Sequence, residues 1–180
     1  KENSLVILLY HRISPDNEAN LLGTVINDKI FENQMQYLKE RYEITTLKKC
    51  YAEGVNSSKN LRVAITFDDG YADNFKYAFP ILKKLNISAT FFLATDYVDL
   101  RKPIWDQNIL TILNESKHNL RIEDLDNQFL LERGSDHLED DKFLWKAINY
   151  LKFINPTRRN KILDPIFSTF DEKLDFSLNF

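Results

Sequence analysis

Residues Leu5–Tyr10 read Leu-Val-Ile-Leu-Leu-Tyr, an apolar run without polar interruption. Such a run suits a strand buried on both faces, as in parallel sheets. A second run, Leu61–Phe67, leads directly into Asp68-Asp69-Gly70-Tyr71, and a third, Ile87–Ala94, ends at Thr95-Asp96. Helical spacing separates them. Phe31, Met35, Leu38 and Tyr42 recur on one face behind the capping candidates Asn27 and Asp28. Ile44–Thr46 reads as a short strand and Leu47–Tyr51 as a short amphipathic piece, while Ser14-Pro15-Asp16-Asn17 and 54–60 read as loops. Pro80 predicts a helix that starts there, after a short turn, and buries Ile81, Leu82 and Leu85. Strand, helix, strand with short links is a βαβ unit and implies a parallel sheet.

Past residue 100 the pattern changes. Asp106 is a cap for a helix carrying Ile109, Leu110 and Leu113, and Phe143, Leu144, Ala147, Ile148 and Leu151 mark another. Asn155-Pro156 and Asp164-Pro165 each read as a cap followed by proline at the first helical position. The polar stretch 117–141 has no assignable pattern, so the last third is expected to be helical without a strand. The expected division is 1–100 and 101–180.

With 180 residues the chain suits one packed domain, and 13% aromatic content argues against disorder. Lys plus Arg number 24 against 27 Asp plus Glu, a net charge of -3, which argues against a nucleic-acid platform. Cys50 is the single cysteine, so no internal disulfide forms, and it reads as a core residue. No apolar stretch approaches the roughly 20 residues of a membrane helix. The first residue is Lys1, so the true N-terminus, with any signal or anchor segment, is expected upstream.

In parallel α/β architectures reactive groups gather at the carboxyl ends of strands. Here those ends carry His11-Arg12, Asp68-Asp69 and Thr95-Asp96, which share one rim if the strands are parallel. Adjacent carboxylates repel unless a cation sits nearby. A divalent metal resolves this, with one carboxylate as ligand and the other free to accept a proton from water. Gly70 then lets the backbone turn sharply. The plainer alternative is a solvated Asp-Gly turn. His11 either touches substrate or is a hydrogen-bonded structural histidine, and Tyr71 lies close enough in sequence to line the same site. Trp105 and Asp106 read as packing and capping residues, and Thr95 and Asp96 as loop and cap.

Thr66-Phe67-Asp68-Asp69-Gly70-Tyr71 resembles the first motif of the polysaccharide deacetylases, the NodB-homology domain of carbohydrate esterase family 4. Leu9-Tyr10-His11-Arg12-Ile13 resembles that family's first strand, and Phe31 through Leu38 its first helix. Pro80–Lys84 with Ala89–Leu93 resembles the helix and strand that follow, so ordered matches cover residues 5–107. The resemblance implies the N-terminal part of a distorted (β/α) barrel, with a mainly helical insertion at its C-terminal end. It implies hydrolysis of the N-acetyl amide, or sometimes an O-acetyl ester, of an acetylated glycan. Carried over by position, Asp68 is the general base, Asp69 a ligand of Zn²⁺ or a similar divalent ion, and His11 and Tyr71 candidate substrate contacts. It also favours an extracellular, periplasmic or cell-envelope setting.

The chain departs from the family at its second motif, a His-Ser/Thr-x-x-His pair that binds the metal. His118 and His137 are isolated and match no motif. The later arginine-proline motif and the histidine that protonates the leaving amine are also absent. Residues 100–180 resemble an insertion ahead of the missing pair, which is expected shortly past Phe180. By itself the chain is expected to bind metal weakly or not at all, and either further chain or a second chain is expected to complete the sheet. Two other readings stand beside this one. The first is a catalytically degenerate module that binds carbohydrate or serves assembly without metal. The second, transfer chemistry on an aspartate-held Mg²⁺, lacks the usual Asp-x-Asp spacing and a Gly-rich phosphate loop.

Overall fold

In the computed structural model, residues 5–15, 23–54, 61–97, 105–115, 121–125, 129–132 and 140–170 are described. Contacts divide the chain into two units, Lys1–Arg101 and Lys102–Phe176.

The first unit is organised around one strand. β1 (Leu5–Tyr10) pairs in parallel with β5 (Arg62–Phe67) along its whole length, from Leu5↔Arg62 to Tyr10↔Phe67. The opposite edge of β5 is shared. β4 (Glu43–Thr45) pairs with Arg62–Ala64, and β6 (Ala89–Phe91) pairs with Ile65–Phe67, both parallel. Flanked on both edges, β5 is buried at every position. Its residues Val63, Ile65 and Phe67 pack against Phe31 and Met35 of α1 (Asp28–Arg41) and Leu82 of α3 (Phe79–Lys84). Phe67 stacks on Tyr10 at 5.5 Å and on Phe91 at 4.8 Å, tying the ends of β1, β5 and β6 together. The expected cap of α1 forms, with Asn27 accepting the Lys29 N–H at 3.0 Å. Thr46, read from sequence as the end of a strand, instead caps α2 (Leu47–Glu53) by accepting the Lys49 N–H at 3.1 Å. Cys50 is buried, as its helical context predicts.

Three further expectations for this unit need correction. The expected loop does not begin at Ser14: Ser14 ends an unforeseen strand, β2 (Arg12–Ser14), which pairs in parallel with β3 (Val25–Asn27). At three residues each, neither strand is long enough to show a period. The third apolar run forms a strand only over Ala89–Phe91. Its partner β5 ends at Phe67, and the chain beyond follows the Asp69 turn, with the Ala94 N–H on the Asp69 carbonyl at 3.3 Å. Finally, the helix does not begin at Pro80. It is helical from Ala72 and passes through a widened π turn, Asn74–Ala78, in which the Phe79 N–H reaches the Asn74 carbonyl. Proline offers no N–H and its ring crowds the preceding turn, so a widened turn just before Pro80 accommodates it without ending the helix.

The Tyr10 hydroxyl donates to Gln34 Oε1 at 2.9 Å, and burial pushes the phenol above its ordinary pKa. Folding therefore favours the neutral phenol. Its contribution is complete below the unfolded tyrosine's pKa of about 10 and is lost as pH rises through the folded value. Tyr10→Phe is expected to move alkaline unfolding to higher pH, at a cost near neutrality of about 1 kcal/mol for the lost hydrogen bond. A pH titration followed by circular dichroism checks both signs.

The second unit comprises α4 (Trp105–Glu115), β7 (Arg121–Asp124), β8 (Phe129–Glu132), α5 (Asp140–Phe153) and α6 (Pro156–Phe170). Ile109, Ile112, Ile122, Leu144, Leu151 and Leu163 are buried. Asp124 anchors the unit, taking two bonds from the Arg158 guanidinium at 2.6 and 2.7 Å. The strandless expectation fails, because β7 and β8 pair antiparallel. Each has four residues with charges among them, and Arg121 reaches Glu123 at 2.8 Å, so no apolar period marks them. Asn155 caps α6 by accepting the Thr157 N–H at 2.9 Å, as expected. Asp164-Pro165 does not start a new helix, since α6 runs through it. Ser168 Oγ donates to the Asp164 carbonyl and Thr169 Oγ1 to the Pro165 carbonyl, at 2.7 and 3.0 Å. Among the described residues, no helix is long and apolar enough to cross a membrane.

Candidate active site

The backbone brings the predicted rim together. Where β5 ends, the Asp68 N–H donates to the Tyr10 carbonyl at 2.9 Å and the Phe92 N–H to the Phe67 carbonyl at 2.8 Å. The ends of β1, β5 and β6 are thereby held side by side. Asp69 and Gly70 then both take left-handed backbone angles, with φ of 67° and 73°. For Gly70 this is free of steric cost, whereas for Asp69 it stores of order 1 kcal/mol. A strained non-glycine residue directly after a buried strand places its side chain by the fold rather than by local preference. The Gly70 N–H closes the turn on the Asp68 carbonyl at 2.8 Å.

Both carboxylates are half-buried and line one cavity of about 510 Å³ with Thr66, Ile7, Leu9, Leu47 and the Phe92–Ala94 segment. In register, Ile7 and Leu9 sit beside Ala64 and Thr66, on the face of the sheet opposite α1. They remain 52% and 55% exposed. The carboxylates thus stand at the end of an apolar, largely uncovered sheet face. His11 is half-buried at the end of β1 and lies outside that cavity's lining, as does buried Tyr71, which faces a neighbouring groove. Thr95 begins a short 3-10 turn, Thr95–Tyr97, beyond β6. His118 and His137 lie outside the described residues. Trp105 packs under the Arg159 guanidinium, 4.8 Å from its ring centre.

Two residues behind the turn carry a contact the sequence did not reveal. Arg12 Nε meets Asp73 Oδ2 at 2.8 Å, with only 4% and 6% of the two side chains exposed. The other Asp73 oxygen accepts the Ile13 N–H at 3.4 Å, and the Arg12 guanidinium lies 5.5 Å from the Tyr71 ring centre. The polar partner of the rim is therefore turned inward. It clamps β2 to the segment that follows Asp68-Asp69-Gly70. Sixty-one positions separate the pair, so no local spacing signals it.

A divalent ion needs about three protein ligands and an open position for water. Among the described residues, no group of three or more His, Cys, Asp or Glu side chains is placed to hold one. The residues described do not by themselves fit a metal.

Residues 56–121 match the family model for polysaccharide deacetylase. A Bacillus subtilis protein, YxkH, named for polysaccharide deacetylation, is 31% identical over 142 residues, covering 77% of this chain and 45% of that protein. The chain is a relative of the polysaccharide deacetylases. A Staphylococcus aureus deacetylase named for poly-beta-1,6-N-acetyl-D-glucosamine is 32% identical over 111 residues, covering 54% of this chain and 38% of that enzyme. The solved structure of IcaB from Ammonifex degensii aligns over 91% of this chain and 80% of its own, at 23% identity and a TM-score of 0.49. This deacetylase relative spans less than half the length of the two curated proteins.

Proposed function

We propose that this chain is a portion of a hydrolase that removes acetyl groups from a polysaccharide, with the Asp68–Asp69 turn at its centre. The observation that supports the reading most strongly is that turn. It joins a buried parallel strand, a strained Asp69 and two carboxylates in one cavity, inside the stretch that matches the family model. In this reading Asp68 is the general base. A water oxygen adds to the acetyl carbonyl carbon while Asp68 takes its proton. The C–N bond then breaks as the nitrogen takes up a proton, either that one returned by Asp68 or one from an acid outside these residues, giving acetate and a free amine. Asp69 would offer one carboxylate to a divalent ion, and histidines outside these residues would supply the others. The step assigned to this chain is the proton transfer alone. His11 and Tyr71 would contact substrate at the edges of the cavity.

The same reading makes the parallel sheet part of a distorted (β/α) barrel. Exposed Ile7 and Leu9 would then face its interior, and the second unit would be an insertion. It also places the protein at the cell envelope, where acetylated glycan is found. The test compares the 180-residue chain with the gene product extended past Phe180, both given an acetylated glucosamine polymer and zinc. The expectation is acetate from the extended product and none from the chain alone. An extended product that lacks the histidine pair and releases no acetate would favour the non-enzymatic, carbohydrate-binding reading.

A further inference from the structure

The Asp68–Gly70 turn is moored on both sides to one short stretch of chain. Upstream, the Tyr10 carbonyl holds the Asp68 N–H at 2.9 Å. Downstream, one Asp73 oxygen meets Arg12 Nε at 2.8 Å and the other accepts the Ile13 N–H at 3.4 Å. Asp69–Ala72 therefore bridges anchors that lie two or three positions apart along Tyr10–Ile13. The stretch that holds them is itself fixed. Arg12–Ser14 pairs with Val25–Asn27, the Arg12 N–H donates to the Thr24 carbonyl at 3.1 Å, and Ile13 is fully buried. A segment closed this tightly has to double back, and the consecutive left-handed residues Asp69 and Gly70 are how it does so.

Stability alone does not call for an ion pair at this place. Burying two charges is expensive, and apolar residues of similar volume often serve as well. What an apolar pair lacks is direction. Asp73 engages both of its oxygens, and the Arg12 guanidinium also lies 5.5 Å from the Tyr71 ring centre. One arginine thus grips the segment at positions 71 and 73, fixing the path by which the backbone leaves Gly70. Asp69 needs such a constraint. A non-glycine residue at φ 67° persists only where its surroundings over-determine it.

We propose that Arg12 and Asp73 are positioning residues, whose buried pair keeps Asp69 left-handed and so aims the Asp68 and Asp69 carboxylates into their shared cavity. The inference rests on the deacetylase reading and deepens it. Neither Arg12 nor Asp73 lines that cavity, so both act through the turn. Without the downstream anchor, Asp69 relaxes to an ordinary negative φ. The peptide planes that rotate with it displace both acidic side chains, and a misplacement of about 1 Å at a reacting group costs about 100-fold in rate.

The test uses Arg12→Met with Asp73→Leu, which removes both charges and strands neither. A residue of positive φ gives a strong Overhauser effect between its own HN and Hα. In the ¹⁵N-labelled 180-residue chain that signal is expected at Asp69 and is expected to vanish in the double variant, while amide exchange in β5 shows the core still closed. In the extended product the double variant should lower kcat for acetate release about 100-fold with KM little changed. A pair that serves stability alone predicts a folded variant with the Asp69 signal and kcat both retained, and retention of either would overturn the proposal. Should the double variant not fold, Asp73→Asn keeps the shape and loses the charge. It is expected to weaken the Asp69 signal and lower kcat, and no change in either overturns the proposal equally. The two readings fail separately. Acetate release by the unmodified extended product that the variant matches in rate sinks the positioning role alone. No acetate from the unmodified product sinks the hydrolase, and loss of the Asp69 signal in the variant then still upholds the hold of Arg12 and Asp73 on the turn.

Discussion

Asp68→Asn is expected to lower acetate release by the extended product by about 10²–10⁴-fold, the usual contribution of a positioned general base. The substitution is nearly isosteric and removes the capacity to take a proton. The backbone bond from residue 68 to the Tyr10 carbonyl does not involve the side chain and survives. Asp68 is half-buried at the cavity wall rather than packed in the core, so the variant should fold normally. Substrate affinity should change little, because the lost interaction forms only as the proton moves. A large rise in KM with kcat intact would instead make Asp68 a binding residue. Steady-state kinetics on an acetylated glucosamine oligomer distinguish the two.

Asp73→Ala is expected to produce the largest loss of stability in the first unit. It removes the carboxylate that lies 2.8 Å from the Arg12 Nε, a side chain only 4% exposed. Breaking a buried pair from one side typically costs about 3–5 kcal/mol, most of it the penalty of a stranded charge. Removing both charges together, as Arg12→Met with Asp73→Leu, should cost less than Asp73→Ala alone, because no uncompensated ion remains. Denaturant unfolding followed by amide exchange in β5 reads this out. Both tryptophans, Trp105 and Trp145, lie in the second unit, so exchange in β5, rather than fluorescence, reports on the first. A double variant less stable than Asp73→Ala would mean that the pair contributes through shape rather than charge.

The sequence made the centre of the fold legible and its borders obscure. Leu5–Tyr10 and Leu61–Phe67 are long enough to be identified as strands, and both formed as parallel partners. Only the second is buried, since Ile7 and Leu9 of the first remain 52% and 55% exposed. Asn27 and Asn155 act locally, accepting N–H groups from the first turn of their own helices, so these two caps were readable, whereas Thr46 capped a helix unannounced and Asp164 capped none. The three- and four-residue strands β2, β3, β7 and β8 carry too few positions for a period to emerge. Proline misled twice, at Pro80 and Pro165. A widened π turn precedes the proline in one case, and in the other α6 runs through it. In the candidate site, adjacent acidic residues after a strand were visible as a motif. The Arg12–Asp73 clamp arises from tertiary approach and leaves no local trace.

The most direct measurement is acetate release in ¹⁸O-labelled water by the extended product and its Asp68→Asn variant. The account predicts one labelled oxygen in each acetate from the unmodified protein, and the same labelling at a rate reduced at least about 100-fold in the variant. Unlabelled acetate, or equal rates from the two proteins, would contradict a reaction centred on water and Asp68.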